Sequence, residues 1–132
     1  MSTLINTNAF DYINVLGKAA DASWKRNELI ANNIANVDTP NYKRQDLNFE
    51  DTFAQALKWT HMSDLDSKVH KVNMRRLSPR PYVDSTGYSY RLDGNNVDID
   101  TENAELASNQ IKYEGLTNSI MSEFKNLQAV MK

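Results

Sequence analysis

Residues 93–105 hold five carboxylates, Asp93, Asp98, Asp100, Glu102 and Glu105, in a stretch acidic enough to suggest a calcium loop. A loop of the EF-hand kind needs oxygen ligands at its first, third and fifth positions and a glycine at the sixth, where the chain turns sharply. Counting from Asp93 puts Val97 fifth and Asp98 sixth, and counting from Asp98 puts Asn103 sixth, so both frames fail. The stretch therefore reads as an acidic turn that caps a helix. His61 and His70 are the only histidines and lie nine apart, whereas a metal site needs three or four convergent ligands. The absence of cysteine removes disulfides, thiolate catalysis and cysteine-ligated metals. No serine or threonine sits in a nucleophile elbow, no glycine-rich loop could cradle a phosphate, and no carboxylate pair is singled out. Catalytic, cofactor-binding and metal-ligating residues are all expected to be absent, and an enzyme is not expected.

The other charged feature is basic. Arg75, Arg76 and Arg80 form a cluster in a region where Asp84 is the one acid between Lys68 and Arg91. It reads either as a solvated loop or as a contact with an acidic neighbour, such as the 93–105 patch of an adjacent copy. Nucleic acid is a poor fit, because the chain carries a net charge of -2 and no aromatic stacking platform accompanies the arginines.

The elements that must position these groups begin with a helix from about Asn8 to Asn36. Asn8 is placed to cap it, and Asp11 lies in the first turn, where the helix dipole favours an acid. A heptad seam runs Phe10, Ile13, Gly17, Ala20, Trp24, Asn27, Ala31, Ile34, widened by Leu16, Ala19, Ile30 and Val37. Asn36 is expected to take the left-handed terminal position, and Pro40 cannot continue the helix. Residues 41–58 read as a short extended piece leading into a helical turn around Glu50–Trp59. Residues 61–96 are the weakest for regular structure: Pro79 and Pro81 break helices, 83–92 has the mix of a hairpin or loose strand, and 93–96 is a turn. This middle is expected to be a flexible or partner-ordered insert. The final helix opens at Asp100 or Thr101, with Glu102 and Glu105 complementing its dipole. Its seam is Leu106, Asn109, Tyr113, Leu116, Ile120, Glu123, Leu127, Val130, with a second stripe of Thr117, Met121, Phe124, Gln128 and Met131. A face that broad contacts more than one neighbour.

The expected fold is mainly α: long N- and C-terminal helices with a short irregular or β-hairpin middle, divided as 1–40, 41–97 and 98–132. With 132 residues, 40% hydrophobic composition and a mean hydropathy of -0.64, the chain is one domain with a thin core that a partner would help to cover. Residues 1–9 show no secretory signal, and no run of apolar residues is long enough to span a bilayer. Sixteen asparagines against four glycines is unusual, since asparagine is a mediocre helix former. In an apolar seam a polar residue can fix register. A helix cap explains Asn36 alone, whereas a packed, hydrogen-bonded helix end in an assembly gives Asn32, Asn33 and Asn36 each a role.

Asn32, Asn33, Ile34 and Asn36, followed by Thr39, Pro40 and Tyr42, resemble the N-terminal signature of bacterial flagellar rod, hook and related axial proteins. The run Asp93-Gly94-Asn95 into Val97–Asp100, with Glu102, Ala107, Asn109 and Tyr113 on the helix that follows, is similar to proximal rod proteins of that group. The resemblance implies a structural subunit exported by the flagellar type III apparatus without a cleaved signal. It would assemble outside the cytoplasmic membrane, in the periplasm of a two-membrane cell. Its terminal helices would pair as an antiparallel coiled coil and pack against other copies, against rod proteins such as FlgC and against the adaptor FliE, with no nucleic acid. The assembly motif would be the seven residues just named, and the packing seam Phe10, Ile13, Trp24, Ile34, Leu106, Tyr113, Leu116, Ile120 and Leu127. No cofactor is implied. A soluble helical adaptor or export chaperone would show similar seams.

Overall fold

All three prolines lie between residues 40 and 81, and the proline-free ends form the two helices that dominate the fold, α1 (Asn8–Ala35) and α4 (Ile99–Met131). At ~1.5 Å per residue they are roughly 40 and 50 Å long. A computed structural model describes residues 8–85 and 91–131; the side chain of Asn8, expected to cap α1, and residues 86–90 of the expected 83–92 hairpin lie outside the described part. The helices pair antiparallel: Asn33 meets Glu102, Arg26 meets Glu105, Ser23 and Asn27 meet Asn109, and Trp24 meets Tyr113. The two terminal helices thus form the expected antiparallel coiled coil.

The helix ends differ from expectation in two places. Asn36 is not left-handed; its N–H donates to the carbonyls of Asn32 (3.1 Å) and Asn33 (3.2 Å), and its Nδ2 returns to Asn32 O at 2.8 Å. Its own side chain thus satisfies a carbonyl of the last turn, and no left-handed cap is needed. The left-handed residue is Asn41, with φ 62°, directly after Pro40. At the other helix, Asp98 rather than Asp100 or Thr101 is the cap: its Oδ1 accepts from the N–H groups of Asp100 (3.0 Å) and Thr101 (3.4 Å).

The middle is folded onto α1. It contains β1 (Gln45–Asp46), α2 (Phe49–Lys58), α3 (Leu65–Lys71), a 3₁₀ turn (Met74–Leu77) and β2 (Tyr82–Val83). Asn48, Asp64 and Asn73 cap the three helical pieces by accepting from the N–H groups of Asp51, Ser67 and Arg75. The strands pair antiparallel, Gln45 opposite Val83 and Asp46 opposite Tyr82, with the helical pieces between them in the chain. Val69, Val72 and Leu77 are buried with Val15 of α1 and Ala56 of α2, and Tyr12, Phe49, Phe53, Leu57 and Met74 pack around them. A second cluster joins Ala22 and Leu29 to Leu47. The flexible-insert expectation is therefore corrected. Each short apolar run is too small to signal an element alone, but four elements pool them into one core.

α1 thus has two partners. Its apolar residues toward the middle, Val15, Ala22 and Leu29, fall outside the expected seam and its flanking stripe. Helix α4 contributes no residue to either buried apolar cluster. Its fully buried side chains, Glu102 and Asn109, are polar.

Candidate functional site

Asn33 is fully buried and uses its amide completely. Nδ2 donates to Gln45 O (2.8 Å) and Glu102 Oε2 (3.1 Å), and Oδ1 accepts from Gln45 N–H (2.9 Å) and Tyr42 O–H (3.1 Å). One side chain thereby fixes the end of α1 to the chain that leaves it and to the first turn of α4. Burial pushes the Tyr42 phenol up from its ordinary value, and the Glu102 charge acts in the same direction, so the hydroxyl stays protonated and can donate.

A second buried asparagine ties the other strand of the junction. Asn95 Nδ2 lies within 2.9 Å of the carbonyls of Asn36, Val37 and Thr39, and its Oδ1 accepts from Val97 N–H at 2.8 Å. Thr39 Oγ1 donates to Asn36 Oδ1 at 3.1 Å, and Asn41 N–H donates to Asp93 O at 2.7 Å. Gly94 has φ +76°, so the conformation demands glycine, and a Cβ there would stand 2.5 Å from Asn41 Oδ1 and force that side-chain amide to shift. The two sequence motifs, residues 32–42 and 93–102, are thus halves of one hydrogen-bonded junction.

Beneath it lies a charge network that sequence reasoning missed. Arg44 donates through Nε to Glu102 (2.5 Å) and through its terminal nitrogens to Asp84 (2.7 Å) and Asp46 (3.3 Å). Arg26 donates to Asp46 (2.7 Å) and Glu105 (2.7 Å). Glu102 is fully buried, so its main work is to pair with Arg44 and Asn33 rather than to complement the dipole of α4. Glu105 is likewise spent on Arg26. Burial pushes the Asp46 carboxyl up, but the hydrogen bond from Arg26, the Leu47 N–H and the charges of both arginines outweigh it, and the net shift is downward. Both guanidiniums are held even more firmly charged than usual.

The expected seam residues divide. Asn109 is buried, with Nδ2 on Ser23 O (2.7 Å) and Asn27 Oδ1 (2.9 Å), while Leu106, Tyr113, Leu116, Ile120 and Leu127 are half-buried in one line along α4. A shift of register would strand Asn33, Asn109 and Glu102 without partners at about 1–3 kcal/mol for each buried group, so polar residues select the pairing. On α1, Ile13 and Ile34 are half-buried, but Phe10 and Trp24 remain 43% and 56% exposed, Trp24 resting on Tyr113 with ring centroids 5.8 Å apart. Asn32 and Pro40 are exposed. The outer stripe of α4 is uncovered, with Met121, Phe124 and Met131 all at least half exposed.

The first half of this junction, residues 32–42, falls in the part of the chain that a family model recognises. The model described as flagella basal body rod protein matches residues 13–43. The flagellar basal body rod protein FlgB of Aquifex aeolicus is 35% identical over 127 residues, covering 93% of this chain and 94% of the relative. The chain belongs to the FlgB family. FlgB of Bacillus subtilis is 34% identical, covering 80% of this chain and 81% of its own length, and FlgB of Borrelia hermsii is 37% identical over 81% and 85%. The chain is accordingly a structural protein of the proximal rod of the flagellar basal body. Within this FlgB-family chain, residues 13–43 span most of α1 and its terminating motif, up to the residue before Arg44.

Proposed function

We propose that the chain builds the proximal rod by lengthwise packing of its helix pair, forming an axial tube that transmits torque and conducts exported subunits. The observation that carries this reading is the division of labour along α4. Its first turns are locked to α1 by buried polar contacts, whereas Met121, Phe124, Val130 and Met131 along its far half are exposed. Apolar side chains in a row at helical spacing need cover, and in an axial assembly neighbouring subunits supply it. Asn32, Pro40 and the exposed faces of Phe10 and Trp24 present the remaining parts of the assembly motif and seam to those neighbours.

The partners in this reading are further copies of the chain, rod proteins such as FlgC, and the adaptor FliE. The chain reaches its site, outside the cytoplasmic membrane, through the flagellar type III export apparatus. The role is structural rather than catalytic. Mass spectrometry of purified basal bodies, stripped of filament and hook, tests it: the expected result is recovery of the chain at a few copies per basal body. Absence there with abundance in the cytosol would replace the rod reading with that of a soluble adaptor or export chaperone.

A further inference from the structure

Two exposed patches of opposite charge, each built around apolar side chains, lie far apart on this chain. The first is the outer surface of the middle lobe. Trp59, Met62 and Leu65 are 63%, 39% and 58% exposed there, although they flank a well-packed core. Arg76 places its guanidinium 4.9 Å from the centre of the Trp59 ring, joining the end of α2 to the 3₁₀ turn. Lys58, Lys71, Arg75 and Arg80 are also exposed. Residues 58–80 contain six lysines and arginines against two aspartates, a net +4. Since the whole chain is -2, the rest carries -6.

The second patch is the tip formed by the asparagine junction. Three of the six acids of this end are spent inside the subunit: Asp93 on Arg91 (3.0 Å), Glu102 on Arg44 and Glu105 on Arg26. Asp38, Asp98 and Asp100 remain exposed, the Asp38 side chain by 96% although it lies 3.8 Å from the Arg91 guanidinium. Between them stand Leu92, fully exposed, and Ile99, 39% exposed. Asn95, whose amide holds the carbonyls of Asn36, Val37 and Thr39, keeps the Asp38 loop beside the 92–100 segment. The lobe packs on α1 near Val15, and the tip lies beyond Ala35. At ~1.5 Å per residue the two patches are roughly 30 Å apart along the axis of α1.

We infer that the acidic tip of one copy docks on the basic lobe of another, Leu92 and Ile99 meeting Trp59, Met62 and Leu65. This deepens the self-packing proposed above and rests on it. The patches complement one another in charge and match in apolar character, and they lie on different parts of one chain. Their contact is therefore heterologous and displaces successive copies along the helix axis rather than closing a two-fold dimer. A hydrophobic centre with a charged rim is the anatomy of a specific interface.

Charge reversal in the full-length chain tests it. The tip variant carries Asp38→Lys and Asp100→Lys, leaving the cap Asp98 intact; the lobe variant carries Arg75→Glu and Arg80→Glu. Sedimentation at low salt should show the unmodified chain associating, and added salt should weaken it. Each variant alone should associate at least about tenfold more weakly, because like charges then face each other. An equimolar mixture of the two should recover association, since a reversed tip meets a reversed lobe. Trp59→Ala should weaken association without changing its salt dependence. Failure of the mixture to recover, or an unmodified chain that stays monomeric at low salt, overturns the contact. So does binding of the unmodified chain to phosphatidylglycerol vesicles that the lobe variant alone loses, together with no effect of the tip variant on association; the lobe then faces lipid. Recovery from basal bodies without association in solution defeats this contact alone, whereas association without recovery defeats the rod reading.

Discussion

Asn32 and Asn33 are neighbours of the same residue type in the same helix turn, yet their replacement by alanine should have opposite consequences. Asn33→Ala removes four hydrogen bonds from a fully buried site. Tyr42 is half-buried and its hydroxyl can turn to water, and Glu102 keeps Arg44. The groups left stranded are the N–H and carbonyl of Gln45. At about 1–3 kcal/mol for each unsatisfied buried group, the loss should be roughly 3–4 kcal/mol. Asn32 is exposed, and it is its backbone carbonyl, which alanine retains, that accepts from Asn36. Alanine there changes stability by less than about 0.5 kcal/mol, in the stabilising direction expected of a better helix former. Urea unfolding followed by far-UV circular dichroism reads both. With a slope of about 1–3 kcal/mol per molar, Asn33→Ala should lower the midpoint by about 1–4 M at an unchanged slope, and Asn32→Ala should leave it in place. Equal effects of the two, or a loss below about 1 kcal/mol at Asn33, would refute the junction as the lock between the helices.

Removing one partner of the Arg44–Glu102 pair, by Glu102→Ala, should cost about 3–5 kcal/mol; Arg44→Lys should not match the native residue, since one ammonium cannot reach Glu102, Asp84 and Asp46 together. Thermal unfolding measures both. Because Asp46 is depressed in the folded state, its contribution is complete above the ordinary carboxylate value near ~4 and is lost as pH falls through its lower folded value. Asp46→Asn should therefore flatten the acid limb of a stability–pH profile, and an unchanged limb would count against the network. Gly94→Ala should destabilise by more than ~1 kcal/mol, from positive φ and the clash with Asn41, and Asn41→Gly should relieve the clash but not the backbone term. Leu116→Asp, in the line of half-buried residues along α4, should leave synthesis normal and abolish rod incorporation in motility and basal-body assays.

Helix extent was legible in the amino-acid order alone, because helical periodicity and proline placement are local signals: α1 was expected to end at about Asn36 and does end at Ala35, and Leu106 to Leu127 form the line along α4 that their spacing implied; the antiparallel pairing came from the resemblance to axial proteins. The two motifs were legible too, as was their kinship with axial proteins. What they do to each other was not. Asn33 with Glu102, Arg44 with Glu102, and Asn95 with the carbonyls after α1 are contacts between residues distant in sequence. An isolated carboxylate at a helix start looks the same whether it faces water or a buried arginine. The middle lobe escaped detection for a related reason. Ala56, Val69, Val72 and Leu77 are too sparse to mark a core in their own segments, and become one when three short elements meet Val15 on α1. Sequence determined which segments coil and where they stop; tertiary structure decided which polar groups are buried together, because burial is a property of the assembled surfaces and not of any one stretch of chain.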